Sequence, residues 1–102
     1  MRIAREEVFG PVVAISSYDD VDDAVRIAND SEYGLAGSVW SADQDAGLAV
    51  AARIRAGGLR VNGAPQALDA PFGGFKNSGF GREYGPEGLD SYFATKAIAA
   101  RY

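Results

Sequence analysis

The sequence predicts an α/β fold: a βαβαβ parallel-sheet layer, then a long Gly/Phe loop, then a C-terminal strand that pairs outside the layer. Three observations predict it. Short apolar runs rich in β-branched residues alternate with segments whose apolar residues recur at helical spacing, an order that implies parallel strands with right-handed crossovers. Gly10-Pro11 and Gly57-Gly58 punctuate these segments. Beyond Asn62 the periodicity stops, and residues 71–82 pack four glycines and three phenylalanines into twelve positions.

Residues 12–18, Val-Val-Ala-Ile-Ser-Ser-Tyr, follow the Gly-Pro turn signal and read as a buried strand. Residues 20–30 read as a helix, because Val21, Ala24, Val25 and Ala28 fall at i, i+3, i+4 and i+7. Asp19 or Asp20 caps its start, and Asp22 and Asp23 suit the positive end of the helix dipole. Residues 35–40 form a second strand, in which Gly37 signals close approach of a neighbouring backbone. Ser41 or Asp43 caps a second helix over 43–56, whose narrow face of Gly47, Val50, Ala51 and Ile54 allows close packing on a sheet. Gly57-Gly58 stops it, and residues 59–62 are a third strand. Pro86 fits the first position of a helical turn over 86–90. In residues 91–102, Tyr92, Phe93, Thr95 and Ile98 favour a strand while Ala97, Ala99 and Ala100 favour a helix. The strand reading is preferred.

Composition narrows the function. A chain of 102 residues suffices for one small domain, and 47 % hydrophobic with 24 % charged residues is globular rather than disordered. A formal charge of -4 with scattered Lys and Arg argues against nucleic acid and against an anionic membrane surface. There is no Cys and no His, so these residues hold no thiolate nucleophile, disulfide or imidazole base. No apolar run is long enough to span a bilayer and no apolar signal core opens the chain, which places it in the cytoplasm.

The Gly/Phe segment reads as an ordered loop, since glycine permits tight turns and phenylalanine brings faces that favour burial. It does not read as a phosphate cradle. The Walker pattern is absent, and Gly79-Phe80-Gly81-Arg82-Glu83-Tyr84 lacks the third glycine of the dinucleotide fingerprint. The acids at 19–23 are accounted for by capping and solvation. Asn62 sits at the carboxyl end of a strand, where α/β proteins bind ligands, and reads equally as a turn residue. Glu6-Glu7-Val8-Phe9-Gly10-Pro11 sets an acid beside an aromatic ahead of a rigid Gly-Pro turn. The arrangement suits a hydroxyl ligand held against a ring face, and reads by default as an exposed Glu and a buried Phe beside a turn.

Several segments then stand in a specific order: Arg5-Glu6-Glu7-Val8-Phe9-Gly10-Pro11-Val12, Ala28-Asn29-Asp30-Ser31-Glu32-Tyr33-Gly34-Leu35, Val61-Asn62-Gly63, Pro71-Phe72-Gly73-Gly74-Phe75-Lys76-Asn77-Ser78-Gly79, and Gly81-Arg82-Glu83-Tyr84-Gly85-Pro86-Glu87-Gly88. Together they resemble the C-terminal portion of the NAD(P)-dependent aldehyde dehydrogenase superfamily, over essentially the whole chain. Such enzymes oxidise an aldehyde to a carboxylic acid with a cysteine thiolate, pass hydride to the nicotinamide, and use a glutamate to activate water. In the family the cysteine, that base and the cofactor domain precede the Glu-x-Phe-Gly-Pro motif.

The resemblance therefore implies a fragment, or a short reading frame opening at an internal methionine. It would be inactive alone and would bind no NAD or NADP by itself. Residues 1–90 would be part of the catalytic domain, and 91–102 an oligomerisation strand that makes the protein a homo-oligomer. The resemblance assigns Glu7 to the nicotinamide ribose hydroxyls, Phe9 to the nicotinamide ring and Phe72 to the aldehyde channel. Residues 63–70 become a variable loop at the channel mouth, here small and mostly apolar, which points to an apolar aldehyde. Glu7, Phe9 and Phe72 should then line one shared concavity. The alternative is a self-standing structural module that assembles through its C-terminal sheet edge.

Overall fold

The computed structural model describes all residues, Met1–Tyr102. After a single 3₁₀ turn at Arg2–Ala4 come helix α1 (Val21–Asn29), strands β1 (Tyr33–Gly34) and β2 (Ala36–Val39), helix α2 (Gln44–Ala51), strands β3 (Gly58–Val61) and β4 (Phe75–Lys76), and helix α3 (Gly85–Asp90). No helix is long and apolar enough to cross a membrane.

Both main helices start where their sequences direct. The Asp20 carboxylate accepts from the Asp23 amide at 2.8 Å, and the Asp43 carboxylate accepts from Asp45 and Ala46 at 2.9 and 3.1 Å. These bonds satisfy amides that the first helical turn leaves without partners. Helix α2 ends earlier than the periodicity predicts. Its regular bonds give way to tighter ones, from Arg53 to the Val50 carbonyl and from Ile54 to Ala51, before the chain enters Gly57.

The parallel unit is β2–α2–β3, with Ala36 opposite Gly58 and Val39 opposite Val61. Helix α2 lies on it closely: a Cβ on Gly47 would sit 2.9 Å from Val61 Cγ1, so only glycine fits there. A second, antiparallel pair joins β1 to β4, with Tyr33 opposite Lys76 and Gly34 opposite Phe75.

Two predicted strands do not form. Residues 12–18 enter no ladder, and Val13 and Ile15 are 82 % and 91 % exposed. The apolar run is there, but β2 pairs only with β3, and every residue of the run stays exposed, although Ser16 and Tyr18 border a concavity with α1 and β2. The βαβαβ layer is thus reduced to βαβ. Residues 91–102 also form no ladder, leaving Tyr92, Phe93 and Ile98 exposed. A strand needs a partner for its amides, and within one chain this segment has none.

These open segments shape the molecule. Only five residues are buried, four of them glycines; the fifth, Val25, is 8 % exposed and is the one buried hydrophobic side chain. The radius of gyration is 17.9 Å, against about 13 Å for a self-contained domain of roughly 100 residues. Apolar burial is therefore partial, with Ile27, Val39, Val50, Ile54, Leu59 and Val61 half-covered, and close backbone approaches and polar ties add to the order.

Two outcomes test this. A Cβ on Gly57 would run into the Gly73 carbonyl, whereas one on Gly10 meets nothing within 4 Å. Gly57→Ala should cost about 3 kcal/mol and Gly10→Ala less than about 0.5 kcal/mol in urea unfolding; equal losses would contradict the packing described. Separately, the Asp23 carboxyl is held below the usual carboxylate range, chiefly by the Arg26 side-chain hydrogen bond and next by the Asp19 amide. A lowered folded pKa means that its support for α1 is complete above the unfolded value and lost as pH falls through the folded one. Helicity followed by circular dichroism into acid should show this loss, and Asp23→Asn should remove that part of the pH dependence.

Candidate functional site

The Gly/Phe loop is closed at its base by two reciprocal bonds, Phe72 N–H to the Glu83 carbonyl and Glu83 N–H to the Phe72 carbonyl, both 2.7 Å. Inside the closure the Arg82 guanidinium donates to the carbonyls of Gly74, Phe80 and Gly81 at 3.0, 3.1 and 2.8 Å. The same group lies 5.5 Å from the centre of the Phe75 ring, within cation–π range. Phe72 meets Tyr84 with ring centres 6.5 Å apart, tilted by 57°. The aromatics are less covered than the loop's composition predicts: Phe72 is half-buried, but Phe80 is 93 % exposed.

Phe72 stands with part of the loop over residues 63–70. Together with Pro65, Gln66, Ala67 and Leu59 it lines a cavity of about 230 Å³, to which Arg60 also contributes and no acidic residue does. It further forms a wall of a shallow concavity of about 370 Å³, beside Leu35, Ser78 and Arg82.

Glu7 lies elsewhere. It lines a larger concavity of about 540 Å³ with Tyr33, Leu35, Ala36, Arg55 and Ser78. Its neighbours' charges are already used, Glu6 by Arg2 at 2.8 Å and Arg5 by Asp30. The Glu7 carboxylate makes no hydrogen bond within the chain, so its oxygens are free to accept. Phe9 is 95 % exposed and lines none of these cavities.

The structure thus does not place Glu7, Phe9 and Phe72 on one shared concavity. The Glu7 concavity and those of Phe72 adjoin across Leu35, Ala36 and Ser78, which line both sides. The separation has a local cause. Between Glu7 and the start of α1 the backbone makes one internal bond, Val12 N–H to the Gly10 carbonyl, so nothing in the chain presses Phe9 against β1 or β2.

Asn62 has a structural task. It sits at φ 52°, and its side chain accepts from the Ser41 amide at 2.8 Å and donates to the Ser41 carbonyl at 2.9 Å. Of its two readings, the turn is the one observed.

Sequence reasoning missed a polar hub at the end of α1. Asn29 donates to the Arg53 carbonyl at 2.9 Å and accepts from the Arg55 amide at 2.7 Å. The Lys76 ammonium donates to the carbonyls of Asn29 and Ser31 at 3.0 and 2.9 Å. The Ser78 hydroxyl accepts from the Gly34 amide at 3.0 Å. The available signal was the polar run Asn29-Asp30-Ser31 at a helix exit, where carbonyls lack partners.

Comparison with known proteins agrees with the motifs. Residues 1–98 match the aldehyde dehydrogenase family. The geranial dehydrogenase of Castellaniella defragrans is 54 % identical over 97 residues, which are 95 % of this chain and 20 % of that enzyme. The crystal structure of a cysteine-to-alanine variant of aldehyde dehydrogenase C from Pseudomonas syringae, complexed with NAD+ and octanal, superposes with a TM-score of 0.90 at 53 % identity, over 96 % of this chain and 20 % of that one. Betaine aldehyde dehydrogenase from Staphylococcus aureus in complex with NAD+ superposes with a TM-score of 0.84 at 47 % identity, over 90 % of this chain and 18 % of that one. The chain therefore spans about a fifth of the length of the proteins it matches. With ordered motifs, fold and sequence in agreement along nearly its whole length, it belongs to the aldehyde dehydrogenase family.

Proposed function

We propose that these 102 residues form one part of an aldehyde-oxidising site, whose thiolate nucleophile and water-activating base are supplied from outside them. The observation that carries this reading is the cavity shared by Phe72 and residues 65–67, a wall built of the loop and the aromatic that the family places at the aldehyde channel. The wall binds and orients. It has no sulfur, no imidazole and no acidic group, so bond-making falls to groups from elsewhere.

The proposed aldehyde is uncharged and apolar. Phe72, Leu59, Pro65 and Ala67 offer apolar surface, and Arg60 at the same cavity opposes a cationic substrate. Geranial and octanal, named with two of the relatives, fit that chemistry better than betaine aldehyde, named with the third.

Glu7 and Phe9 are proposed to meet the cofactor, NAD or NADP. A carboxylate with both oxygens uncommitted suits the vicinal hydroxyls of a ribose, and an exposed ring such as Phe9 can cover a nicotinamide face. When bound, the nicotinamide accepts hydride. Arg5, the nearest cation to Glu7 in sequence, is committed to Asp30, whereas Arg55 lines the same concavity without a carboxylate partner. A second reading, assembly of copies through residues 91–102, is favoured by the exposed Tyr92, Phe93 and Ile98 on a segment without a ladder. Both roles can belong to one protein.

Co-expression tests the reading. The chain alone should not turn over octanal with NAD+. Combined with the part of the geranial dehydrogenase outside the matched segment, it should restore turnover. In that complex Glu7→Gln should raise the cofactor KM about tenfold, since a hydrogen bond to a charged group contributes about 1.5–3 kcal/mol, and leave the aldehyde KM unchanged. Turnover by the chain alone, or no turnover in the complex, would sink the proposal.

A further inference from the structure

We propose that Lys76 is a positioning residue, whose ammonium fixes the Phe72 wall relative to α1 and the β1–β2 segment. The inference rests on the reading of Phe72 as part of the aldehyde-side wall, and adds a residue to it that touches neither substrate nor cofactor.

Lys76 holds a backbone conformation with φ 55°, in the left-handed region that side chains with a Cβ seldom adopt. Such a conformation persists where the surroundings over-determine it. Here its ammonium donates to the Asn29 and Ser31 carbonyls at 3.0 and 2.9 Å, in a part-buried setting. Those carbonyls lie at the exit of α1, where the helix dipole favours a cation. Next along the chain, the Asn77 amide donates to the Glu32 carbonyl at 2.9 Å, so the same segment is held twice.

The anchor it grips is itself fixed. The Asn29 side chain is bonded to the Arg53 carbonyl and the Arg55 amide, tying the exit of α1 to the connection between α2 and β3. On the other side, only Phe75, Gly74 and Gly73 separate Lys76 from Phe72. Phe75 is paired to Gly34, Gly73 runs against Gly57, and Phe72 is bonded to Glu83. The wall therefore hangs between the Phe72–Glu83 closure and the Lys76 anchor. Of the ties on the Lys76 side, the ammonium can be removed without altering any backbone group.

A reactive role for this lysine does not fit. Two of its three donors are spent on carbonyls, and it lines neither the Glu7 concavity nor those of Phe72. A lysine that attacks a carbonyl needs a free amine facing the substrate.

The chain holds only two lysines, Lys76 and Lys96, which makes the ammonium directly observable by nitrogen-15 NMR of lysine side chains. One of the two signals should be protected from exchange with water and should vanish in Lys76→Met. In that variant the Phe72 and Glu83 amides should exchange about tenfold faster, the effect of losing a hydrogen bond to a charged group, while amides of α2 and β3 keep their wild-type rates. In the co-expressed complex the aldehyde KM should rise about tenfold with the cofactor KM unchanged. Two freely exchanging ammonium groups in the wild-type chain would overturn the proposal. So would unchanged Phe72 and Glu83 amides, or an equal acceleration across α2 and β3. A complex without turnover would count against the proposed function, and the exchange measurements would still decide the positioning.

Discussion

The constraint on which the rest depends is the scarcity of internal apolar contact. With Val25 the one buried hydrophobic side chain, the molecule is ordered by backbone ladders and by the hub at residues 29–34. A hydrogen bond of this kind contributes about 1 kcal/mol net, and several of these bonds are open to water. Such a set fixes geometry well and stability poorly. The other buried positions are glycines because a Cβ at Gly34, Gly74 or Gly88 would meet backbone atoms and one at Gly47 would meet Val61. Where side chains cannot interdigitate, backbones approach each other directly, as Gly57 does at Gly73 and Gly34 at the Arg55 carbonyl.

The exposed apolar residues are the complement of that constraint. Val13, Ile15 and Phe9 on one extended segment, and Tyr92, Phe93 and Ile98 on another, carry the kind of side chain that other proteins bury. Scattered singly they would need no explanation. Concentrated on two segments without ladders, in a chain that spans about a fifth of its relatives' length, they support the proposal that further polypeptide completes both the core and the site.

Legibility of the fold followed the range of the forces involved. Helix α1 was readable because its cap, its acidic first turn and its apolar stripe are all local. The β2–α2–β3 unit was readable because each element announces itself and the crossover rule joins them. Residues 12–18 and 91–102 carry the right local signal for strands, but a ladder is a property of two segments, and neither meets a partner within this chain. The β1–β4 pair was unreadable because two residues give no periodicity. In the site, Glu7, Phe9 and Phe72 are expected to converge, and in the chain they lie on separate surfaces. Asn62 was ambiguous because its amide could face a ligand or a turn, and only the position of Ser41 decides between them.

That the Glu7 and Phe72 cavities share walls but not space has a chemical consequence on the proposed reading. Hydride transfer requires donor carbon and acceptor ring to come within about 3–3.5 Å. Leu35 and Ser78 line both the Glu7 concavity and the shallow Phe72 concavity, and Ala36 lines both the Glu7 concavity and the Phe72 cavity, so cofactor and aldehyde would lie on adjoining surfaces. Neither cavity alone can bring them together. On the proposed reading, groups that seat the cofactor and place the thiolate would have to reach the surface along Leu35, Ala36 and Ser78. The position of that shared wall then matters as much as the chemistry of its side chains, and it is the position that the proposed Lys76 anchor at the exit of α1 would hold.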